Sequence, residues 1–365
     1  MQVDPRILVK KAEPQEMHVY QPTHTFADFA FIPQLANNVT AKGYTTPTPI
    51  QDQIIPEIMA GRDVVGLAAT GTGKTAAFLL PILHKLETHF GEKALIITPT
   101  RELAVQIMEE GRMLARGTRM YFTIVIGGVD INRQVRDLRR RPQIVVGTPG
   151  RIKDLAERGE LHLAEYRTII LDEVDRMLDM GFVHDITEIV SHLPGIRHSL
   201  FFSATMSPKA RAVAQTFLHD PVVVQTESQR ASDNVDQDIV KLNGRNKIDV
   251  LHDLLIQPGF EKVLVFGRTK HGMERLSRTL TERGFLTASI HGNKSQNQRQ
   301  RALTAFKNNQ VKVLLATDVA ARGIDIDSVT HVINYELPET YDDYIHRIGR
   351  TGRADKTGVA LTFID

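Results

Sequence analysis

Short apolar runs separated by amphipathic or polar stretches recur along the whole chain. The earlier runs span residues 64–67, 94–97, 144–146, 168–171, 200–202 and 222–224. The later runs span residues 263–266, 287–290, 311–315, 331–334 and 359–363. Near-continuous apolar strands with helical stretches between them predict parallel sheets that are covered by helices on both faces. The pattern therefore predicts an α/β chain with two such sheets.

Two polar stretches divide this pattern. Residues 1–25 contain three prolines and show no sustained period, which predicts a flexible N-terminal arm. Residues 226–238 form the longest weakly periodic polar stretch inside the chain, which predicts a flexible linker. A length of 365 residues suits two cores. We therefore expect one domain at residues 26–225 and a second at residues 239–365.

A glycine-rich turn follows the first apolar run and reads Ala-Ala-Thr-Gly-Thr-Gly-Lys-Thr at residues 68–75. Its glycines let successive N–H groups turn inward around phosphate oxygens at the positive end of a helix. Lys74 would supply a point charge, and Thr75 a hydroxyl for Mg²⁺. The spacing is that of a Walker A loop, with Ala68 where the general pattern has glycine. The alternative is a glycine turn before a core helix, but Gly-Lys-Thr after an apolar strand favours the phosphate site.

Two carboxylates come directly after the run at residues 168–171. In parallel sheets, ligands bind beyond the carboxyl ends of the strands. Asp172 is expected to orient Mg²⁺ through its water shell, and Glu173 to position the attacking water. The alternative is an acidic helix start, because carboxylates there favour the helix dipole. The phosphate loop upstream favours the catalytic interpretation.

Gln51 lies one turn into a predicted helix that begins at Pro49 with Thr48 as its cap. Its amide donates and accepts at once, which matches the N6/N7 edge of adenine. A glutamine near a helix start is usually only solvated. The adenine hypothesis therefore depends on the neighbouring phosphate loop.

Composition narrows the class of protein. The 45 Lys and Arg residues are balanced by 43 Asp and Glu residues, so with a net charge of +2 any polyanion must be bound by local placement of arginines. The absence of cysteine excludes disulfides and thiolate zinc sites and fits a reducing compartment. Fourteen histidines without paired helical spacing predict no metal site made of protein ligands alone. No apolar run approaches a membrane span and no signal core precedes Pro22, so we expect a cytoplasmic protein without membrane contact.

Three arginines recur at three-residue spacing near the end of the chain, at Arg347, Arg350 and Arg353. A solvated basic turn does not need this regularity. Because the second domain lacks a phosphate loop, we expect these arginines to reach the γ-phosphate across an interdomain cleft, as an arginine finger does. Domain closure would then be coupled to nucleotide binding.

From residue 26 to residue 365, the sequence resembles a DEAD-box RNA helicase of bacterial type, which is a superfamily-2 ATPase with two RecA-like domains. The matching motifs occur in the family's order, at residues 43–51, 68–75, 99–104, 127–128, 148–151, 172–175, 203–205, 265–269, 291–299, 316–325 and 346–353. The resemblance implies an ATP hydrolase that uses ATP and Mg²⁺ and is stimulated by RNA. It also implies RNA contacts to sugar and phosphate, without sequence-specific base readers.

The resemblance carries roles over to individual residues. Catalysis is carried over to Lys74, Asp172, Glu173, Arg350 and Arg353. ATP binding is carried over to Phe26, Tyr44, Gln51, Thr70, Gly71, Thr72, Gly73, Lys74, Thr75 and Asp325. Thr75 and Asp172 would serve Mg²⁺, largely through water and ATP phosphates. Coupling is carried over to Asp175, Ser203, Thr205, His346 and Arg347, and RNA contact to Arg101, Gly128, Thr148, Arg151, Gln296, Arg299 and Thr317.

Two features depart from the family pattern. Val174 stands where the name-giving motif has alanine, so the motif reads Asp-Glu-Val-Asp with its acids intact. We expect ATPase chemistry to survive, with altered packing beneath the motif. The chain stops at Asp365 after a predicted strand, where the family's second domain usually continues into helices. A tail that selects a particular RNA would then be absent.

We expect an ATP-dependent RNA helicase that unwinds or remodels RNA duplexes or RNA–protein complexes locally. It would act as a monomer, with ribosomal or RNA-decay proteins as partners. The alternative is an ATP-gated RNA clamp that serves as an assembly scaffold and turns over slowly. A small-molecule kinase or generic P-loop ATPase would leave the second domain and its arginines without a role.

Overall fold

The structure is a computed structural model that describes residues 8–12, 20–69, 71–226, 234–318, 329–352 and 357–364. The chain forms two compact units. The first unit is Val19–Ser228, and the second unit combines Met1–His18 with Gln229–Asp365. Each contains a parallel sheet with helices, which confirms the predicted α/β class.

The sheet of the first unit has seven strands in the described part of the chain, and all their pairings are parallel. They are β1 (Val64–Leu67), β2 (Ala94–Ile97), β3 (Phe122–Val125), β4 (Ile144–Gly147), β5 (Thr168–Leu171), β6 (His198–Ser203) and β7 (Val222–Gln225). Their order across the sheet is β3-β4-β2-β5-β6-β1-β7. Because β5, β6 and β1 are neighbours, the residues that follow these three strands meet at one edge of the sheet.

Helices accompany this sheet along the chain. They are α1 (Pro33–Ala41), α2 (Pro49–Met59), α3 (Lys74–Thr88), α4 (Arg101–Leu114), α5 (Ile131–Leu138), α6 (Pro149–Glu157), α7 (Val174–Asp179), α8 (Val183–Ser191) and α9 (Pro208–Phe217). Proline opens α1, α2, α6 and α9, where a missing N–H leaves no intrahelical bond unmade. Of the helices described in either unit, none is long and apolar enough to cross a bilayer.

Alternation along the central strands of the first unit builds a core on each face of the sheet. Val64 of β1 and Ile170 of β5 belong to one apolar cluster, which also contains Phe78 of α3. Their neighbours in sequence, Val65 and Ile169, belong to the other cluster. A strand that is apolar on both faces reads as a continuous hydrophobic run, which is why β1, β2 and β5 were visible in the sequence.

The second unit repeats the architecture with a smaller sheet. In the described residues its strands are β8 (Val235–Lys241), β9 (Val263–Phe266), β10 (Thr287–Ile290), β11 (Val313–Ala316), β12 (His331–Asn334) and β13 (Gly358–Ile364). They are parallel, in the order β10-β11-β9-β12-β13-β8. The helices described here are α10 (Lys247–Leu255), α11 (Lys270–Glu282), α12 (Gln296–Lys307) and α13 (Tyr341–Ile348).

Strand β8 corrects the end of the predicted linker. Residues 235–238 were assigned to the linker, yet they pair with β13 in parallel register. β8 is the end strand of the described sheet, with β13 as its neighbouring strand. Val235 and Gln237 are buried, whereas Asp238 is exposed. An edge strand of this kind lacks a continuous apolar run, and for that reason the sequence reads as a linker. Strand β3 was also not predicted.

The described parts of the predicted N-terminal arm are packed. Leu8 is fully buried in a cluster of the second unit with Val235, Tyr344 and Ile348. The backbone of Lys10 pairs with that of Gln237 in an antiparallel bridge. Residues 1–7 and 13–19 lie outside the described part of the chain. The expectation of a free arm is therefore wrong for residues 8–12.

Residues 20–25, at the end of the predicted arm, attach to the first unit through Asp52 on α2. The Asp52 carboxylate accepts a hydrogen bond from the Tyr20 hydroxyl. It also accepts from the backbone N–H groups of Thr23 and His24, both at 2.9 Å, and contacts His24 Nδ1 at 2.8 Å. Burial by itself would raise the pKa of Asp52, but these hydrogen bonds lower it below its ordinary value. A single buried carboxylate thus fastens the entering chain to the helix that carries Gln51.

We expect Asp52→Asn to destabilise the first unit by about 1–3 kcal/mol, because the donors it satisfies lose their charged acceptor. Since the folded-state pKa is lowered, the stabilisation is present above the unfolded pKa and is lost as pH falls through the folded pKa. The difference in melting temperature between wild type and variant should therefore narrow in acid. Glu57→Gln on the same helix is the control, because Glu57 makes only an exposed pair with Arg62. An equal effect of both variants would contradict the assignment.

Candidate active site

The phosphate loop leaves β1 and enters α3 through two glycines with left-handed backbones. Gly71 has φ of 84° and Gly73 has φ of 89°. Gly73 caps α3, and a Cβ atom added to it would lie 2.5 Å from Gln51 Nε2. Both the torsion and the close approach require glycine at this position. The loop can therefore approach a ligand closely with its backbone N–H groups.

Lys74 is folded back onto the loop. Its side chain is only 6% exposed, and Nζ donates a hydrogen bond to the Ala68 carbonyl at 2.6 Å. Ala68 N in turn donates to the Ser203 carbonyl at 3.1 Å, which ties the start of the loop to the end of β6. Thr72 closes the turn by donating from Oγ1 to the Ala69 carbonyl at 2.8 Å. The loop is thus held in shape by its own polar groups.

Gln51 supports the loop from α2. Its Nε2 donates to the Gly73 carbonyl at 3.1 Å, and its Oε1 accepts from Thr48 N at 3.0 Å. These contacts use one donor and one acceptor of a side chain that has two of each. The amide is buried and oriented, with capacity for one further donor–acceptor pair. The sequence analysis proposed Gln51 as a base reader and did not anticipate its support of the phosphate loop.

Phe26 and Tyr44, which precede α2 in the chain, form an aromatic pair. Their ring centroids are 5.9 Å apart with an interplanar angle of 20°. The Tyr44 hydroxyl donates to Glu110 Oε1 at 2.7 Å, and burial together with that carboxylate raises the pKa of Tyr44. Phe26 is half-buried, so its ring keeps exposed surface on which a planar group can stack.

Asp172 lies where β5 ends, and in the sheet one strand, β6, separates β5 from β1. The side chain is 2% exposed, and its Oδ1 accepts a hydrogen bond from Glu173 N at 2.9 Å. Burial raises the pKa of Asp172 to about 7, although the Lys74 ammonium opposes this change. A carboxylate that is costly to ionise in isolation is suited to a site that receives a cation.

Glu173 follows in a left-handed conformation that is unusual for a residue with a side chain, with φ of 53° and ψ of 51°. Its carboxylate is buried and accepts from Arg176 Nη1 at 2.7 Å. Arg176 is itself only 4% exposed. The ion pair between Glu173 and Arg176 was not anticipated from the sequence, although their separation by three residues at a helix start was a usable signal.

Asp175 connects the carboxylate motif to the turn after β6. Its Oδ2 accepts from Ala204 N at 3.1 Å and from Thr205 N at 3.0 Å. The Ser203 hydroxyl accepts from Asp175 N at 3.3 Å and donates to the Thr205 carbonyl at 2.7 Å. The motifs at residues 172–175 and 203–205 therefore form one hydrogen-bonded unit. Val174 between the acids is fully buried and belongs to the apolar cluster under the sheet.

The structure brings three of the predicted RNA-contacting residues of the first unit to one turn, residues 126–130, which precedes α5. The Arg101 guanidinium lies against Gly127 and Gly128, so that a Cβ on Gly128 would lie 2.1 Å from Arg101 Nη1. Arg151 Nη1 donates to the Val129 carbonyl at 3.3 Å. Thr148, at the start of α6, is buried. We call this turn the Gly128 turn.

In the second unit, Arg347 anchors α13 to the sheet. Its Nε and Nη2 bind the two oxygens of Asp318 at 2.6 and 2.7 Å, and Nη1 donates to Asn334 Oδ1 at 3.1 Å. Nη1 also donates to the Glu336 carbonyl at 2.7 Å. The residue is 2% exposed, so its guanidinium is engaged inside the unit. Arg350 is buried beside it and donates from Nε to the His346 carbonyl at 3.2 Å.

Gln296 and Arg299 begin α12 and are both largely buried, as is Thr317 after β11. The loop that leads into α12 is held by Glu274 of α11. The carboxylate of Glu274 accepts from the Ser289 hydroxyl at 2.6 Å, and contacts His291 Nε2 at 3.0 Å and Lys294 Nζ at 3.1 Å. These hydrogen bonds, that of Ser289 first, lower the pKa of Glu274 to about 2. Sequence reasoning missed Glu274 because no motif contains it.

Three predicted site residues, Thr70, Asp325 and Arg353, lie outside the described residues. Among the residues that are described, no group of three or more His, Cys, Asp or Glu side chains could hold a metal ion. Thr75, at the first turn of α3, and Asp172 are the side chains assigned to Mg²⁺ in the sequence analysis.

Comparison with known proteins gives matches along most of the chain. Residues 48–213 match the model of the DEAD/DEAH box helicase family, and residues 246–355 match that of the helicase conserved C-terminal domain. The chain is 44% identical over 341 residues to the ATP-dependent RNA helicase CshA of Limosilactobacillus reuteri and 45% identical to that of Listeria monocytogenes. These matches cover 93% of this chain and 69% and 66% of the two relatives, so the chain spans about two thirds of their length.

Among solved structures, that of Saccharomyces cerevisiae Dbp5 bound to RNA and ADP BeF3 matches with a TM-score of 0.82 at 30% identity. The match covers 93% of this chain and 89% of that one. The agreement supports the prediction of two RecA-like domains.

We expect Gln51→Ala to weaken ATP binding by about 1–3 kcal/mol and to reduce any preference for ATP over GTP. The variant loses the hydrogen bond to the Gly73 carbonyl, and it also loses the amide that would pair with the adenine edge. Competition between ATP and GTP against a fluorescent nucleotide measures both effects. Gln53→Ala is the control, since Gln53 is exposed on the same helix. Equal affinities for ATP and GTP in the wild type would refute the adenine hypothesis.

Proposed function

This chain belongs to the DEAD-box ATP-dependent RNA helicases, and we propose that its first unit binds ATP at residues 68–75 and hydrolyses it in response to RNA. The observation that carries the proposal is the buried charge where β1 and β5 end. Lys74, Asp172 and Glu173 are each less than a tenth exposed. Buried charges are costly unless they are paired. The phosphates of a nucleotide with a bound cation would complete their pairing.

The donor chemistry at this edge fits Mg²⁺. A carboxylate and a hydroxyl, from Asp172 and Thr75, are the hard oxygen ligands that Mg²⁺ prefers, and Mg²⁺ usually keeps several waters in such sites. When bound with ATP, Mg²⁺ would neutralise charge on the outer phosphates. A cation nearby would also favour the ionised form of Asp172, whose pKa burial raises to about 7.

The roles of the remaining residues follow from their contacts. Lys74 would exchange its bond to the Ala68 carbonyl for a phosphate oxygen, which needs only a small movement of a flexible side chain. Glu173 would accept a proton from the attacking water, with the hydrogen bond from Arg176 holding its carboxylate in position. Asp175 would transmit movement between this centre and the Ser203–Thr205 turn, because its carboxylate holds that turn.

RNA would be held by its sugar-phosphate backbone. The Gly128 turn offers Arg101 and Arg151, and α12 offers Gln296 and Arg299, as donors suited to phosphate and ribose oxygens. We propose that ATP and RNA each favour closure of the two units, in which Arg350 and Arg353 would reach the γ-phosphate. The protein would act as a cytoplasmic monomer, with ribosomal or RNA-decay proteins as partners.

We expect Lys74→Ala to abolish productive use of ATP, and Glu173→Gln to retain ATP binding while lowering hydrolysis by at least about a hundredfold, the usual size of a general-base contribution. The measurement combines nucleotide affinity with RNA-stimulated phosphate release. Glu165→Gln, which removes an exposed carboxylate of the same unit, is the control. Comparable hydrolysis by Glu173→Gln and the wild type would contradict the proposed role of Glu173.

We expect RNA affinity to rise by about 5- to 150-fold in the presence of a nonhydrolysable ATP analogue, which is the usual range of coupling between two sites. Arg353→Ala should reduce this coupling and the RNA-stimulated rate while leaving ATP binding to the first unit in place. RNA affinity is measured at one fixed salt concentration, because phosphate contacts depend on salt. Duplex release with ATP and with the analogue then distinguishes unwinding from clamping. Identical RNA affinities with and without the analogue would show that the units act independently.

A further inference from the structure

Helix α5 begins where the Gly128 turn ends, and the two are joined by a buried side chain. Gln134 of α5 is 2% exposed, accepts from Ile126 N at 3.0 Å and donates to the Ile126 carbonyl at 3.1 Å. Asp130 caps the helix by accepting from Asn132 N at 2.9 Å. These bonds fix α5 to the turn that carries Arg101 and Arg151. Whatever α5 displays therefore has a set position relative to the proposed RNA contacts.

The exposed face of α5 is densely basic, as are residues 139–141, which follow the helix. Five arginines occur within residues 133–141, and all are exposed: Arg133, Arg136, Arg139, Arg140 and Arg141. This local density contrasts with the net charge of +2 for the chain. Arg133 and Arg136 are three residues apart and therefore share one face of the helix.

Folding does not account for the first two of these arginines. Arg133 lies in the first turn of α5, which contains no acidic residue, and a cation there opposes the helix dipole. Within the described ranges, no carboxylate lies at ion-pair distance from Arg133 or Arg136, whereas Arg139 pairs with Glu160 and Arg140 lies 3.8 Å from Asp137. Guanidinium groups match the geometry of phosphate oxygens, so two neighbouring ones without a carboxylate partner are suited to bind an anion.

We propose that Arg133 and Arg136 form a second contact surface for RNA phosphates, which extends the track of the Gly128 turn along α5. The proposal rests on the proposed function, since it takes the Gly128 turn as an RNA contact. The ligand is an RNA backbone longer than the segment that the Gly128 turn and α12 would contact. The contact is independent of base sequence, because guanidinium groups on an exposed helix face reach phosphate oxygens without entering a base-reading pocket. An acidic protein partner is the other anion that this face could bind, and the test below separates it from RNA.

The test uses the full chain with a nonhydrolysable ATP analogue and two single-stranded RNAs, of about 8 and about 40 nucleotides, the shorter being within the usual footprint of one binding groove. Arg133→Gln/Arg136→Gln should weaken binding of the long RNA by about tenfold and leave the short RNA unchanged. The slope of log affinity against log salt for the long RNA should fall by about 1.4, since each single-strand phosphate contact contributes about 0.7. Arg133→Lys/Arg136→Lys should restore most of the affinity, because it keeps both charges.

Arg62→Gln/Arg245→Gln is the matched control. It removes the same charge from exposed arginines outside the Gly128 turn and α5 that already pair with Glu57 and Asp253. An unchanged salt slope for the long RNA would overturn the proposal and leave an acidic protein as the candidate for this face. Equal weakening of the short and long RNAs, or equal weakening by the control, would also overturn it. Failure of the proposed function is distinct, because neither RNA would then stimulate hydrolysis by the wild type.

Discussion

Burial of charge at the carboxyl edge of the first sheet is the constraint on which the site depends. Lys74, Asp172, Glu173 and Arg176 are each less than a tenth exposed, and every one of them needs a partner. The chain supplies partners itself: the Ala68 carbonyl receives the Lys74 ammonium, and Arg176 receives Glu173. The site is therefore organised without a ligand, and binding would require only that Lys74 exchange the Ala68 carbonyl for a phosphate oxygen, at little cost in reorganisation. The raised pKa of Asp172 indicates that the Lys74 ammonium only partly compensates the burial of this carboxylate.

The second unit repeats the parallel architecture but fills the same edge differently. The first unit has a glycine loop at this edge. In the second unit, the two carboxylate oxygens of Asp318, after β11, accept hydrogen bonds from the Arg347 guanidinium, which also donates to Asn334 at the end of β12. A bidentate pair of this kind fixes two elements relative to each other. Arg347, one of the regularly spaced arginines near the end of the chain, therefore has a structural role, and the spacing by three residues does not distinguish it from Arg350.

The sequence predicted what depends on local pattern and missed what depends on partners. The strands with two buried faces were visible as apolar runs. The glycine-rich turn at residues 68–75 was visible because its glycines and its lysine lie close together in the sequence. β8 was hidden, since an edge strand carries polar residues on alternate positions and resembles a linker. The contacts of Gln51 with Gly73, of Glu173 with Arg176, and of Glu274 with the loop before α12 join residues whose geometry only the fold determines. Motif matching assigns roles to residues, but it does not identify the side chains that hold those residues in position.

A nearly neutral chain can bind a polyanion only if its charges are segregated, and the structure indicates how this is achieved. Several exposed arginines, such as Arg62, Arg158 and Arg245, are neutralised by carboxylates a few ångströms away. Within the described ranges, neither Arg133 nor Arg136 of α5 has a carboxylate at ion-pair distance, and the first turn of this helix contains no acid. Since screening limits the field of a single charge to about 8–10 Å at physiological salt, paired arginines contribute little to a distant ligand and unpaired neighbours contribute most. Affinity for RNA in such a protein is therefore expected to depend on where its arginines lie and on which groups pair with them, and composition reveals neither.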